Sequence, residues 1–276
     1  VTPPPGFATD AALGVAWLAA RLERDAGLAA RRAGGVDALW RAAPAHAARL
    51  FGLPVADAGT IARERRSFSA TSVRAELAAA GIAALAAGGP GAPRGLGDLV
   101  DPPPVLLARG EVGSAVGALA AHPVVAVVGA RRASVPGLAF ARELGRALAE
   151  RGAVVVSGLA IGIDAAAHEG ALEGGTPVVA VLGGGVERPT PRRNAALAER
   201  IAAGGGILVS EYWPGTPPAP WRFPARNRIV AALADAVVVV EAGERSGALI
   251  TADLALEIGR TVLAVPGAPW GAGSAS

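Results

Sequence analysis

Eight arginines fall in three short segments of the second half of the chain: Arg131 and Arg132; Arg188, Arg192 and Arg193; and Arg222, Arg226 and Arg228. Each segment follows a run of β-branched residues, and Glu187 is the only carboxylate within residues 129–132, 186–193 and 222–228. Residues 111–276 as a whole hold 14 Arg against 14 Asp plus Glu, so the positive charge is placed and not merely abundant. Guanidinium groups gathered without acids suit a polyanion, because each gives charge-assisted, often bidentate hydrogen bonds to phosphate oxygens. If the β-branched runs are parallel strands of an open α/β sheet, the three segments meet in the crevice at the carboxyl ends of the strands, where such sheets bind ligands.

Global composition says less. The net charge is only +3. The pI of about 10.7 reflects a chain with no Lys, no Cys and one Tyr, in which little titrates between neutral pH and arginine. At 276 residues and 52% apolar content the chain can form one large domain and a smaller one. Without Cys there is no disulfide framework or thiolate site, and His46, His122 and His168 are too scattered for metal-ligand spacing. No stretch approaches a membrane span, and residues 1–20 lack a basic region ahead of an apolar core, which reads as soluble and cytoplasmic. The absence of Met at position 1 fits an alternative start codon or a fragment.

Residues 9–85 read as helical. Asp10 is placed to cap a segment carrying Leu13, Trp17, Leu18 and Leu22; Leu39, Trp40, Leu50 and Phe51 mark a second amphipathic element, and a third runs from about Thr71 to Leu85. The expected organisation is a helical domain over 1–87, a Gly/Pro-rich linker over 88–104 and an α/β domain over 105–276. In the last, runs at 124–128, 154–156, 178–182, 207–209, 237–240 and 262–265 alternate with helical segments, and 105–107 offers a further strand. Continuous apolar runs suit strands covered on both faces, so the expected fold class is a doubly wound, mostly parallel α/β sheet behind a small helical region.

The first long strand ends in VVGARRASVPG (127–137), where Gly129 permits a tight turn and the amides after it, with Arg131, could hold a phosphate at a helix N-terminus. Neither G-x-G-x-x-G nor a P-loop is present. In SGLAIGIDAAAHEGAL (157–172), Ser157, Gly158 and Gly162 allow close backbone approach; Asp164 serves as a cap or opposes the helix dipole, and His168 lies one turn on. An Asp–His pair there lacks an activated nucleophile. In VAVLGGGVERPTPRRN (179–194), Gly183 and Gly184 leave room for amide–anion contacts ahead of the arginines. The stretch 210–233 sets Tyr212, Trp213, Trp221 and Phe223 beside Arg222, Arg226 and Arg228, the mixture of rings and cations that binds single strands, although core packing would equally explain Trp213 and Phe223.

The succession GAR, SGLAxGID…AHxGAL, AVLGxG…PxxN, SE…PG…P, FPxRNRI, VVVEA…SGALITA and GRxVxAVPG resembles the DprA/Smf family (DNA-processing protein A) over about residues 95–267. The resemblance implies an extended Rossmann-like domain that binds single-stranded DNA during natural transformation and loads the RecA recombinase on it, with no cofactor and no catalysis. It implies that Arg131 and Arg192 belong to the DNA pocket. With the residues around them, the candidate DNA contacts are Gly129, Arg131, Arg132, Ser157, Gly158, Gly183, Gly184, Arg192, Arg193, Arg222, Arg226, Asn227 and Arg228. It also implies a homodimer whose interface lies partly beyond GAPWGAGSAS, so a monomer or weak dimer and an exposed apolar patch near Val262–Trp270 are expected.

Two positions depart from the family pattern: Ile161 stands where a basic residue is common, and Thr190 where a tyrosine is expected. The alternative reading is a nucleotide phosphoribohydrolase of the lysine-decarboxylase-like group, whose PGGxGTxxE motif VLGGGVERP only partly matches, offering Glu187 at a different spacing.

Overall fold

The computed structural model describes residues 7–88, 91–244 and 246–267. In chain order they form α1 (Asp10–Leu22), α2 (Ala26–Ala33), α3 (Val36–Arg41), α4 (Pro44–Leu50), α5 (Ala58–Ser67), α6 (Ala70–Ala79) and β1 (Ile82–Ala86). There follow β2 (Val105–Gly110), α7 (Val112–Ala121), β3 (Val124–Val128), α8 (Val135–Glu150), β4 (Val154–Ser157), α9 (Ile163–Gly174) and β5 (Val178–Val181). The chain continues with α10 (Ala195–Ala203), β6 (Ile207–Ser210), α11 (Arg222–Leu233), β7 (Ala236–Val239), α12 (Gly247–Glu257) and β8 (Thr261–Ala264).

The helical region differs from expectation at three places. Thr9, not Asp10, caps α1, its hydroxyl accepting from the Ala12 amide at 3.2 Å. The second amphipathic element is two short helices, because the residue before Pro44 is driven out of the α region and Ala43 sits at φ −54°, ψ 143°. The third ends at Ala79, and after Gly81 at φ 69° residues 82–86 pair antiparallel with β2 as an edge strand. IAALA carries a single β-branched residue, so nothing local separates it from the alanine-rich helix before it.

The sheet has eight strands in the order β1-β2-β6-β5-β4-β3-β7-β8. β2 runs antiparallel to β1 and to β6, while β6, β5, β4, β3, β7 and β8 are mutually parallel. The fold is therefore α/β and Rossmann-like, with a mostly parallel sheet behind a helical region. Strand alternation divides the core. Val127 and Val155 pack with Ala141, Ala167 and Ile201 of α8, α9 and α10. Val124, Ala126 and Val154 pack with Leu119, Ile229 and Ala252 of α7, α11 and α12. The first cluster is continuous with Leu13, Leu18 and Leu39 of the N-terminal helices.

Against the sheet α12 buries Ala248, Thr251, Ala252 and Ala255, with Leu254 and Ile258 half-buried. Leu249 and Leu256 are exposed, and the small residues Ala248, Ala252 and Ala255 at helical spacing form the face that packs closely. At the sheet edge Leu263 of β8 is 53% exposed, while residues 268–270 of the expected apolar patch lie outside the described residues. No helix among the described residues is long and apolar enough to cross a membrane.

The chain winds outward from β3 to β6 and then returns to place β7 on the other side of β3. This reversal parts the loops after β3 and β7 and opens a crevice at their carboxyl ends.

Candidate functional site

A cleft of about 810 Å³ occupies that crevice. Its walls are the Gly129–Arg132 turn, the Gly158–Ala160 turn, the first half of α11 and the N-terminus of α12. Arg226 forms part of the floor and is only 4% exposed. Its Nη1 donates to the Val181 carbonyl, its Nε has no partner, and its guanidinium lies so close to Gly158 that a Cβ there would overlap it. Burial lowers the Arg226 pKa to about 10, with Asp164 working in the opposite direction and Arg131 adding to the fall. Asp164 Oδ2 accepts from the Gly158 and Ala160 amides at 3.1 and 3.4 Å, so it shapes the turn after β4, and burial pushes its carboxyl up despite those bonds.

At the turn after β3, Arg131 and Arg132 are exposed, with the Arg131 guanidinium 5.6 Å from the Phe223 ring. The N-terminus of α8, expected to seat a phosphate, is already occupied by the protein's own carboxylate. Glu241 accepts from the Ser134 amide at 3.1 and 3.2 Å and from its hydroxyl at 2.8 Å, while Ser134 caps the helix through the Gly137 amide at 3.1 Å. A side chain on a distant strand end supplies the negative charge that the helix dipole favours.

The turn after β5 divides differently from the sequence reading. Gly183 and Gly184 are buried against Phe223 and the Thr216–Pro218 segment, and Glu187 fastens that segment by accepting from the Gly215 amide at 2.7 Å. Arg188, Arg192 and Arg193 remain exposed. Asn194, which the residue-type reading missed although it ends the PxxN motif, donates to the Leu159 carbonyl at 2.9 Å. It thereby braces Leu159, a buried non-glycine residue at φ 57° between the cleft turns. Ser157 lies beneath the cleft, its hydroxyl donating to the Val127 carbonyl at 2.6 Å and tying β4 to β3.

The third arginine segment is a helix, not a loop, and this sorts its members. Arg222 stacks between Tyr212 and Trp221, at 5.0 and 4.9 Å from their ring centres. One turn on, Arg226 reaches the cleft floor, and Asn227 donates to the Gly247 carbonyl at 3.1 Å, tying α11 to α12. Arg228 lies about 200° around the helix from Arg226 and points elsewhere. It holds Glu211 through two bonds of 2.8 and 2.7 Å and Asp101 through one of 3.2 Å. Burial opposes its charge, but Glu211 and Asp101 more than offset this and hold its pKa above the ordinary value.

The cleft thus gathers Gly129, Arg131, Arg132, Gly158, Arg226 and Asn227. Arg188, Arg192, Arg193 and Arg222 belong to the adjoining strand-end segments, and Arg228 is removed from the anion-facing set. Among the described residues, Arg131, Arg132, Arg188, Arg192, Arg193 and Arg222 make no ion pair, whereas Arg142 and Arg146 on α8 are each held by two glutamates. His168 is buried with neither ring nitrogen bonded, so no Asp164–His168 dyad forms. Burial lowers its pKa to about 3.

A family model described as DNA recombination-mediator protein A matches residues 85–275. The chain belongs to this family. The DprA/Smf resemblance carried by the motifs is thus shown, and the match takes in every element of the cleft. The X-ray structure of DprA from Streptococcus pneumoniae superposes with a TM-score of 0.74 at 30% identity, covering 96% of this chain and 89% of that one. DNA processing protein A from Helicobacter pylori, described by its single-stranded DNA binding mode, superposes at 0.61 with 30% identity, over 68% and 82% of the two chains. DprA of Bacillus subtilis is 40% identical over 172 residues, 62% of this chain and 56% of the relative. Protein Smf of Escherichia coli is 48% identical over 143 residues, 52% and 38% respectively. The chain spans between 36% and 60% of the length of the curated relatives it matches.

Proposed function

We propose that this DprA-family chain binds single-stranded DNA along the carboxyl edge of its parallel strands and delivers it to a RecA recombinase. The observation that carries this reading is the set of six exposed or half-exposed arginines at the strand ends that make no ion pair among the described residues, whereas Arg142, Arg146, Arg228 and Arg260 of the same sheet domain are each held by acids. In the proposal Arg131 and Arg132 hold one stretch of backbone and Arg192 and Arg193 another. The strands that precede them, β3 and β5, are separated by β4 and so lie about two strand spacings, or 10 Å, apart. A flexible single strand can bend to meet both. Trp221, 62% exposed beside Arg222, offers a face on which an unpaired base can stack. Bases paired within a duplex cannot use that face, which gives the preference for single strands without base readout.

The single-strand binding described for the Helicobacter pylori relative supports this reading. The chain acts as a binding protein without a catalytic step, in the cytoplasm, during natural transformation or recombination. The recombinase docks on the exposed acids Asp253 and Glu257 of α12, outside the cleft, and a second copy of the chain associates through the edge beyond β8. Glu187, the residue on which a phosphoribohydrolase reading would depend, is tied to Gly215 and does not line the cleft. A mobility-shift comparison of poly-dT with a duplex of equal length tests the proposal; equal affinity for the two would refute it.

A further inference from the structure

Arg226 is costly where it stands. A guanidinium that is 4% exposed makes one bond to a carbonyl, leaves Nε unpaired and has no carboxylate within ion-pair distance among the described residues. Buried arginines ordinarily have a counter-charge, as Arg228 does one helical half-turn away. The surroundings keep Arg226 in place instead of releasing it, since Gly158 removes the side chain that would displace it. Facing the same cleft is the N-terminus of α12, an 11-residue helix, at Gly247 and Ala248, where Ser246 Oγ accepts from the Ala248 amide at 3.3 Å and no carboxylate caps the end among the described residues, with Thr251, its hydroxyl donating to the Gly247 carbonyl, one turn further in. Such a terminus favours an anion. Two acids, Asp164 and Glu244, also line the cleft. Asp164 is engaged by the amides of Gly158 and Ala160, and Arg131, Arg132 and Arg226 outnumber the pair.

We propose that the floor of this cleft is a seat for a phosphate monoester, carried either by the end of a DNA strand or by a free nucleotide. Only the strand-end form rests on the single-strand reading above. A phosphodiester inside a strand continues in both directions, so a chain seated on a floor made by Val128, Gly158 and Arg226 would have to descend to it and climb out again. A terminus need only enter. A monoester carries nearly two negative charges at neutral pH, against one for a diester, and its third free oxygen provides a further acceptor. The cleft's size, about 810 Å³, lies in the range that holds small-molecule ligands.

Calorimetric titration of the whole chain with four probes decides it: a dT hexamer with a 5′-phosphate, the same with a 3′-phosphate, the same with neither, and dTMP with thymidine as its control. One phosphorylated hexamer should bind about tenfold or more tighter than the plain one, the lower end of what a charge-assisted hydrogen bond contributes. dTMP should bind where thymidine does not. A phosphorylated-end preference alone assigns the seat to strand ends, and dTMP binding alone assigns it to free nucleotides. Arg226→Met, which keeps the volume and removes an unpaired buried charge, should melt near the wild-type temperature and lose the discrimination. If that variant does not fold, the wild-type probes still decide. Equal affinity for all three hexamers together with no dTMP binding overturns the proposal. In that event binding of long poly-dT would leave the single-strand reading intact, whereas dTMP binding without poly-dT binding would sink that reading and keep the seat.

Discussion

Replacing Arg228 with alanine should damage the fold and spare the DNA, although this arginine lies two residues from one on the cleft floor. Its side chain is 10% exposed, that of Glu211 14% and that of Asp101 29%. The substitution removes three bonds of 2.7 to 3.2 Å to carboxylate oxygens and leaves Glu211 inside the protein without its counter-charge. Breaking one side of a buried ion pair costs about 3–5 kcal/mol, and the partial exposure of Asp101 argues for the lower end, about 3 kcal/mol. For a chain of this size that lowers Tm by about 6–12 °C. Thermal melts followed by circular dichroism measure the loss, and single-strand affinity well below the melt should stay within about twofold of wild type. Pairing Arg228→Met with Glu211→Met should recover most of the stability. A Tm equal to wild type for Arg228→Ala, or a folded variant that loses DNA affinity, would refute the assignment of this residue to the scaffold.

Arg131→Ala and Arg192→Ala should each weaken single-strand binding by one to two decades, the effect of losing a charge-assisted contact of about 1.5–3 kcal/mol. Arg146→Ala, whose guanidinium is held by Glu143 and Glu150, should change it by less than about twofold; filter binding of all three checks the contrast. His168 is held neutral by burial, its pKa lowered from 6.5 to about 3. Its contribution to stability is therefore complete above pH 6.5 and lost as pH falls toward 3, at up to about 1.4 kcal/mol per pH unit. His168→Gln should flatten the decline of Tm between neutral pH and about pH 4, and an unchanged slope would contradict this. Asp253→Arg with Glu257→Arg should leave DNA binding intact and abolish stimulated RecA assembly on coated single strands; undiminished assembly would move the partner surface elsewhere.

The parallel strands β3 to β7 were legible because they are buried on both faces and so read as continuous apolar runs, while β8, exposed at the sheet edge, was legible only from its short run at 262–265. β1 was not, since its register against β2 is set across the intervening 18 residues and IAALA has no period of its own. The crevice could be placed from the arginine segments alone, because strand-end loops converge in any parallel sheet. Which arginines face it could not. Arg226 and Arg228 are distinguished by helical phase once 222–233 is known to be helix, and by Asp101, 127 residues away in the chain. Glu241 gave no local sign that it would cap α8, since its partner Ser134 lies 107 residues earlier. Asn194 stood in a quoted motif, but its bond to the Leu159 carbonyl depends on a backbone conformation that residue types do not encode.

If unpaired arginines at the strand ends hold the phosphates of a single strand, poly-dT binding must weaken steeply as salt is raised. Each phosphate neutralised on a single strand contributes about −0.7 to the slope of log K against log salt concentration, so six arginines allow a slope down to about −4. In a salt titration the wild type should show a steep negative slope within that bound, and Arg131→Ala combined with Arg192→Ala a slope shallower by about 1.4. A wild-type affinity independent of salt, or a double variant with the wild-type slope, would contradict that role for the arginines.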